Sequence, residues 1–161
     1  MTDNLHNLLV GDEPVALRRI EKALHSADVE NETVEAVVSA LIWRRCTAGP
    51  NGMLGAVLNY ECAARIDVLP EHLDTIGASD AAQALRDLRA DIPLKDEQIQ
   101  NGLIDWVDAN PEIAKHGKAL DDDFDDVAQK VWSFMQESQT ELPDSEIPDK
   151  KTGLFSRLFG G

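Results

Sequence analysis

The sequence has few cysteines and no long apolar run, and each shortage excludes a broad class of protein. The 161 residues include only two cysteines, Cys46 and Cys62, which are too few for a disulfide scaffold and fit a reducing cytoplasm. Because nowhere do about eighteen apolar residues follow one another, no membrane-spanning helix is expected. Residues 1–4 also lack the basic and apolar character of a secretory signal. We therefore expect a cytoplasmic protein.

The patterns that mark common enzyme classes are missing as well. The sequence contains no Gly-x-Ser-x-Gly nucleophile elbow, no phosphate-binding loop and no Gly-x-Gly-x-x-Gly fingerprint. Its four histidines are scattered, and neither cysteine has metal-ligand spacing to a histidine. We expect no catalytic residue, no metal site and no cofactor. The two cysteines fall on apolar helix faces, which predicts buried, inert thiols.

Basic residues are scarce compared with acidic ones. The chain has 15 Lys and Arg against 30 Asp and Glu, a formal net charge of -15. Residues 96–149 hold 15 of the acids and three lysines, whereas residues 150–161 hold three bases and no acid. Such a charge argues against direct binding of nucleic acid and against contact of the main body with bare anionic membrane. It favours a basic partner or serves solubility alone.

What the chain does have is helical periodicity over most of its length. A hydrophobic fraction of 43% supports a folded core. Pro14 suits the first residue of a helix, and Asn31 suits the N-cap of the next, whose apolar stripe reaches Ile42. Residues 49–52 have the composition of a turn. We expect an all-α protein with a single compact multi-helix domain over residues 1–137.

Further helices follow from the same spacing. One is expected from Met53 to about Ile66. Another should be capped by Ser79 and end before Pro93, and Asn110-Pro111 should stop a short helix that carries Trp106. The last long helix is expected over residues 122–137, with one apolar face.

The C-terminal quarter is expected to differ from the domain. Residues 138–149 lose apolar periodicity and contain two prolines, which predicts a flexible acidic linker. Residues 150–161 form a basic tail in which four large apolar residues would share one helix face: Leu154, Phe155, Leu158 and Phe159. Such a tail suits a protein groove better than a bilayer, because its apolar area is small and the body is acidic. A tail that folds back onto the domain, or stays disordered, is the alternative.

Five aspartates in six residues suggest a calcium loop, which the spacing then excludes. Asp121, Asp123 and Asp125 match positions 1, 3 and 5 of an EF-hand loop. Position 6 should be Gly but is Asp126, and position 12 should be Glu but is Trp132. The run instead opens a helix, where carboxylates oppose the helix dipole. Five exceed that need, so they form either a solvated face or a surface that a basic partner recognises.

Three segments are informative when they are taken in order. Residues 49–60 read as an Asn-Gly-Gly-type turn with a following helix, residues 76–78 as a short Ile-Gly-Ala junction, and residues 120–124 as an acidic opening to the final helix. Together they resemble the bacterial DNA-mimic protein family. The resemblance covers about residues 33–137. It implies a small acidic helical protein whose characterised member occupies the DNA-binding surface of a transcription factor. The family's turn leads into aromatic residues, whereas here Met53 and Leu54 follow it.

These observations lead to one expected function and three alternatives. We expect a non-enzymatic protein that binds a basic protein, in particular a DNA-binding one, and regulates it as a DNA mimic. Carboxylates one helical turn apart repeat at about 5.4 Å, which is comparable with phosphate spacing. The expected acidic face comprises Asp105, Asp108, Glu112, Asp121, Asp122, Asp123, Asp125 and Asp126. The alternatives are an immunity-type protein that neutralises a basic nuclease toxin, a membrane-associated adaptor that uses the tail, and, least favoured, a metal-dependent hydrolase.

Overall fold

The fold is taken from a computed structural model, in which the structure describes residues 3–93, 102–113, 116 and 126–148. These residues form nine α-helices and one two-stranded antiparallel sheet, so the all-α prediction is confirmed. The helices are α1 (Leu5–Leu8), α2 (Leu17–Ser26), α3 (Glu32–Thr47), α4 (Leu54–Leu58), α5 (Tyr60–Ala63), α6 (Leu69–Thr75), α7 (Ser79–Asp91), α8 (Leu103–Ala109) and α9 (Asp126–Glu137). The strands are β1 (Asp3–Asn4) and β2 (Glu146–Ile147).

Helix α3 is the centre of the fold. It contacts α2, α4, α5, α6 and α9, and it is buried on nearly every side, as expected for a helix that is apolar almost all round. The Asn31 side chain accepts a hydrogen bond from the Val34 backbone N–H at 2.7 Å, so the predicted N-cap is confirmed. Arg44 and Arg45 occupy the last turn, where cations suit the helix dipole.

The turn after α3 brings two backbones unusually close together. Gly52 adopts a φ of 50°, as the turn composition predicted. A Cβ atom at Gly55 would overlap the carbonyl oxygen of Cys46, so only glycine lets α4 lie against the end of α3. The helix expected from Met53 to Ile66 is wrong, because Asn59 is extended and separates α4 from α5. Its side chain accepts from the Glu61 backbone N–H and caps the new helix.

Two predicted helix starts also differ from the structure. Pro14 does not begin α2, because Ala16 lies in the left-handed region at φ 55° and the helix starts at Leu17. Ser79 is the first residue of α7 rather than its cap, and Ala78 occupies the cap position without a side-chain hydrogen bond. Helix α7 does end at Asp91, before Pro93, as expected.

The predicted linker over residues 138–149 is wrong for the part that the structure describes. Strand β2 pairs with β1 at the opposite end of the chain. The side chains of Leu142 and Ile147 are 3% and 0% exposed, so both belong to the core. Apolar residues placed singly among prolines and acids show no periodicity, which is why the pattern indicated a linker. Residues 138–148 therefore belong to the folded unit.

Two side chains of helix α9 donate hydrogen bonds to backbone carbonyl groups near the start of the chain. The indole of Trp132 is fully buried, and its Nε1–H donates to the Gly11 carbonyl at 2.8 Å. The Gln136 side-chain amide donates to the Leu9 carbonyl at 2.9 Å. Together with β1 and β2, these contacts close the helical domain. None of the described helices has the length and hydropathy that crossing a membrane requires.

Candidate functional sites

Three carboxylates of the expected acidic face lie together on one segment. Asp105 and Asp108 are on α8, and Glu112 is in the 3-10 turn Pro111–Ile113 that follows. All three are exposed, and none forms an ion pair with a described residue. On the other side of α8, Trp106 packs against the core. We call these three carboxylates the α8 acidic surface.

Asp126 lies on a different helix and is partly neutralised. It is the first residue of α9 and forms an ion pair with Lys130, one turn later, at 2.7 Å. The remaining predicted members, Asp121, Asp122, Asp123 and Asp125, lie outside the described residues, as do Leu154, Phe155, Leu158 and Phe159 of the tail. A single continuous acidic face therefore stays a prediction, and the α8 acidic surface is its described part.

A shallow groove of about 510 Å³ adjoins the α8 acidic surface. It lies between α4, α5 and α8, and Asp105 lines it together with Tyr60 and Ile104. The Tyr60 and Ile104 side chains are 86% and 65% exposed, which is high for large apolar groups. Sequence reasoning did not pair these two residues, because their proximity depends on how α8 lies across α5. The groove thus combines apolar contact area with a carboxylate.

A second cavity, of about 550 Å³, lies between α2, α3 and α5. We call it the α2–α3–α5 cleft. Four of its lining residues are cations: Arg18, Lys22, Arg45 and Arg65. Sequence reasoning missed this cleft entirely, since its basic residues come from separate helices and no local motif joins them.

Glu21 and Arg45 form the floor of the cleft. The Arg45 Nε and Nη2 groups donate to Glu21 over 2.9–3.2 Å, and Nη2 also donates to Glu61. The hydrogen bonds that Arg45 donates to Glu21 are the main reason that the pKa of Arg45 is raised, although burial opposes the rise. The same guanidinium lowers the pKa of Glu61. One cation thus binds α2, α3 and α5 together.

A buried polar network lies beside the cleft. Arg65 Nη1 donates to Glu35 at 2.7 Å and to the Ser39 hydroxyl oxygen at 3.1 Å. Because a guanidinium only donates, the Ser39 O–H is free to donate to His72 Nδ1, which lies 2.8 Å away. This arrangement suits a neutral His72, and burial lowers its pKa. Ser39 is fully buried, so the pair is a structural network and not an accessible nucleophile.

The two cysteines agree with their prediction. Cys46 and Cys62 are free, buried thiols. Burial is the largest cause that raises the pKa of each thiol. A raised thiol pKa lowers the thiolate fraction and hence the reactivity.

Comparison of the chain with protein-family models, curated proteins and solved structures finds no match. The geometry of the two described surfaces therefore carries the functional argument.

Proposed function

We propose that the protein is a non-enzymatic acidic helical protein that binds a basic protein through the α8 acidic surface. One observation carries the proposal. Asp105, Asp108 and Glu112 are exposed and lack a cationic partner among the described residues. Other carboxylates, by contrast, already form an ion pair with an arginine: Glu35, Asp67 and Asp74. Carboxylates without partners remain available to a cation from another molecule.

The neighbouring groove adds the apolar contact that specific binding needs. Charge alone steers encounter and sets orientation, whereas buried aromatic anchors supply much of the binding energy. Tyr60 and Ile104 flank Asp105 in that groove. A basic partner that also carries apolar side chains would therefore fit better than a simple polycation.

The chemistry of the partner is that of a DNA-binding surface. Such a surface presents Lys and Arg at phosphate spacing and gains energy when counterions are released. Resemblance to the DNA-mimic family supports this choice, as does the net charge of -15. In this proposal the protein competes with DNA and so regulates its partner.

The test is competition with DNA at controlled salt concentration. Basic proteins retained on the immobilised protein at low salt are eluted in a salt gradient, purified, and titrated individually by fluorescence anisotropy. We expect duplex DNA to displace the protein and affinity to fall steeply with salt. The triple variant Asp105→Asn, Asp108→Asn, Glu112→Gln should weaken binding at least about tenfold.

A matched control changes the same number of charges elsewhere. The variant Asp12→Asn, Glu13→Gln, Asp28→Asn removes three exposed carboxylates away from α8. It should retain most of the affinity. If both triple variants weaken binding equally, or if DNA does not compete, the α8 acidic surface is not the DNA-mimicking site.

A further inference from the structure

The α2–α3–α5 cleft reverses the charge balance of the rest of the protein. Its lining carries four Arg and Lys against three Glu. The described residues as a whole carry nine Arg and Lys against 23 Asp and Glu. An acidic protein has no need to collect its few cations around one cavity for solubility, so a local cause is required.

Each of the three carboxylates of the cleft forms an ion pair with an arginine, whereas two of the cations have no such contact with a described residue. Arg45 forms ion pairs with Glu21 and Glu61, and Arg65 forms one with Glu35. Arg18 and Lys22 make no hydrogen bond or ion pair with any described residue, although Arg18 is near enough to Glu61 to help lower its pKa. They are one turn apart on α2, a spacing at which like charges repel each other. An anion between them would relieve that repulsion.

The same basic character continues into an adjoining cavity of about 200 Å³. The two cavities share Arg18, and the smaller one adds Arg44. The Arg44 side chain is exposed and likewise has no polar partner among the described residues. Leu17 and Leu41 line this part of the surface. Five of the nine described Arg and Lys residues thus line two cavities that share lining residues.

An exposed aromatic ring completes the cleft. Tyr60 lines the cleft and is 86% exposed, so the faces of its ring are open to a ligand. Planar rings stack favourably on such a side chain. The volume of about 550 Å³ is within the range of small-molecule sites.

We propose that the α2–α3–α5 cleft binds a phosphorylated small molecule that carries a planar ring, with the size and chemistry of a nucleoside monophosphate. Arg18 and Lys22 would hold the phosphate, since two free cations match a dianion. Tyr60 would stack on the ring. This site shares Tyr60 with the groove beside the α8 acidic surface but none of the three carboxylates, so the variants at Arg18 and Lys22 test it separately from the proposed function.

The test is a separate titration of the full chain with adenosine monophosphate, with inorganic phosphate and with adenosine. Binding is measured by isothermal titration calorimetry and by changes in amide chemical shifts. We expect adenosine monophosphate to bind more tightly than either fragment and to shift amides of α2 and α5. The double variant Arg18→Gln, Lys22→Gln should weaken binding at least about tenfold. Tyr60→Ala should weaken the nucleotide but leave inorganic phosphate unchanged.

A control variant keeps the overall charge change the same. Arg86→Gln with Lys130→Gln also removes two positive charges, but from residues outside the cleft. It should bind the nucleotide as the wild type does. The proposal is overturned if nucleotide binding is absent, if the two double variants weaken it equally, or if adenosine binds as tightly as its monophosphate.

Discussion

Arg45 donates hydrogen bonds to both carboxylate oxygens of Glu21, whose side chain is only 9% exposed. The pair joins α2 to α3, and the contact from Arg45 to Glu61 extends the connection to α5. A carboxylate this deeply buried is tolerated only while its cation is present, because an unpaired buried charge is costly. The fold and the cleft therefore depend on the same arginine.

Removing that cation should destabilise the protein strongly. Arg45→Met leaves the Glu21 carboxylate buried without a partner, and we expect a loss of about 3 kcal/mol in the free energy of unfolding, measured by urea titration. The control is Arg86→Met, which breaks a surface pair with Asp74 in which both side chains are about 40% exposed. That variant should lose less than about 1 kcal/mol. Equal losses would show that Glu21 is not stabilised by Arg45.

The contact between α3 and α4 predicts a glycine that cannot be replaced. Gly55→Ala would push a methyl group into the Cys46 carbonyl oxygen, so the helices must separate. We expect a loss of about 2–3 kcal/mol in thermal or urea unfolding. Gly49→Ala is the matched control, since a Cβ atom there meets nothing within 4 Å. It should change stability by less than about 0.5 kcal/mol.

Burial of His72 predicts a pH dependence with a defined sign. Its folded pKa is below the ordinary value of 6.5, so the unfolded chain takes up the proton first as the pH falls. Stability that is fully present above about pH 6.5 should therefore decline as the pH drops towards the folded pKa. Urea titrations between pH 8 and pH 5 should show a smaller decline in His72→Gln than in the wild type. Declines of equal size in the two proteins would contradict this account.

The packing of β2 predicts that the C-terminal segment contributes to stability. Ile147→Ala removes a fully buried side chain and should cost about 2–4 kcal/mol. Ile104→Ala makes the same chemical change at a side chain that is 65% exposed, and it should cost less than about 1 kcal/mol. If the two variants unfold alike, residues 138–148 do not contribute to the core in the way described above.

Local signals were sufficient wherever neighbours in sequence decide the structure. The cap at Asn31 and the turn before Gly52 depend on a few adjacent residues, and both were predicted. The start of α2 was not, because Ala16 takes a left-handed conformation that no local rule assigns to alanine. Likewise, nothing near Ile147 indicates that its partner strand begins at residue 3.

The two candidate functional surfaces differ in the same way: one could be predicted from neighbouring residues, and the other could not. Asp105, Asp108 and Glu112 could be predicted as one acidic group, because residues three or four apart lie on the same side of a helix, although Glu112 follows the end of α8 in the 3-10 turn. The cleft could not, because Arg18, Arg45 and Arg65 meet only when α2, α3 and α5 have packed. The one signal that sequence offers is Ser39, a polar residue inside the apolar stripe of α3, which indicates that a buried partner is needed.

The pairing of β1 with β2 also constrains the order in which the chain can fold during synthesis. The Leu5 backbone N–H donates to the Ser145 carbonyl at 2.9 Å, and the strands on either side of that bond complete the closure. During synthesis residues 3–5 must therefore wait, unpaired and with Leu5 uncovered, until residues 145–147 have left the ribosome. Contacts of such sequence separation form late and slowly. The nascent chain is thus exposed to proteases and misassociation until that segment emerges.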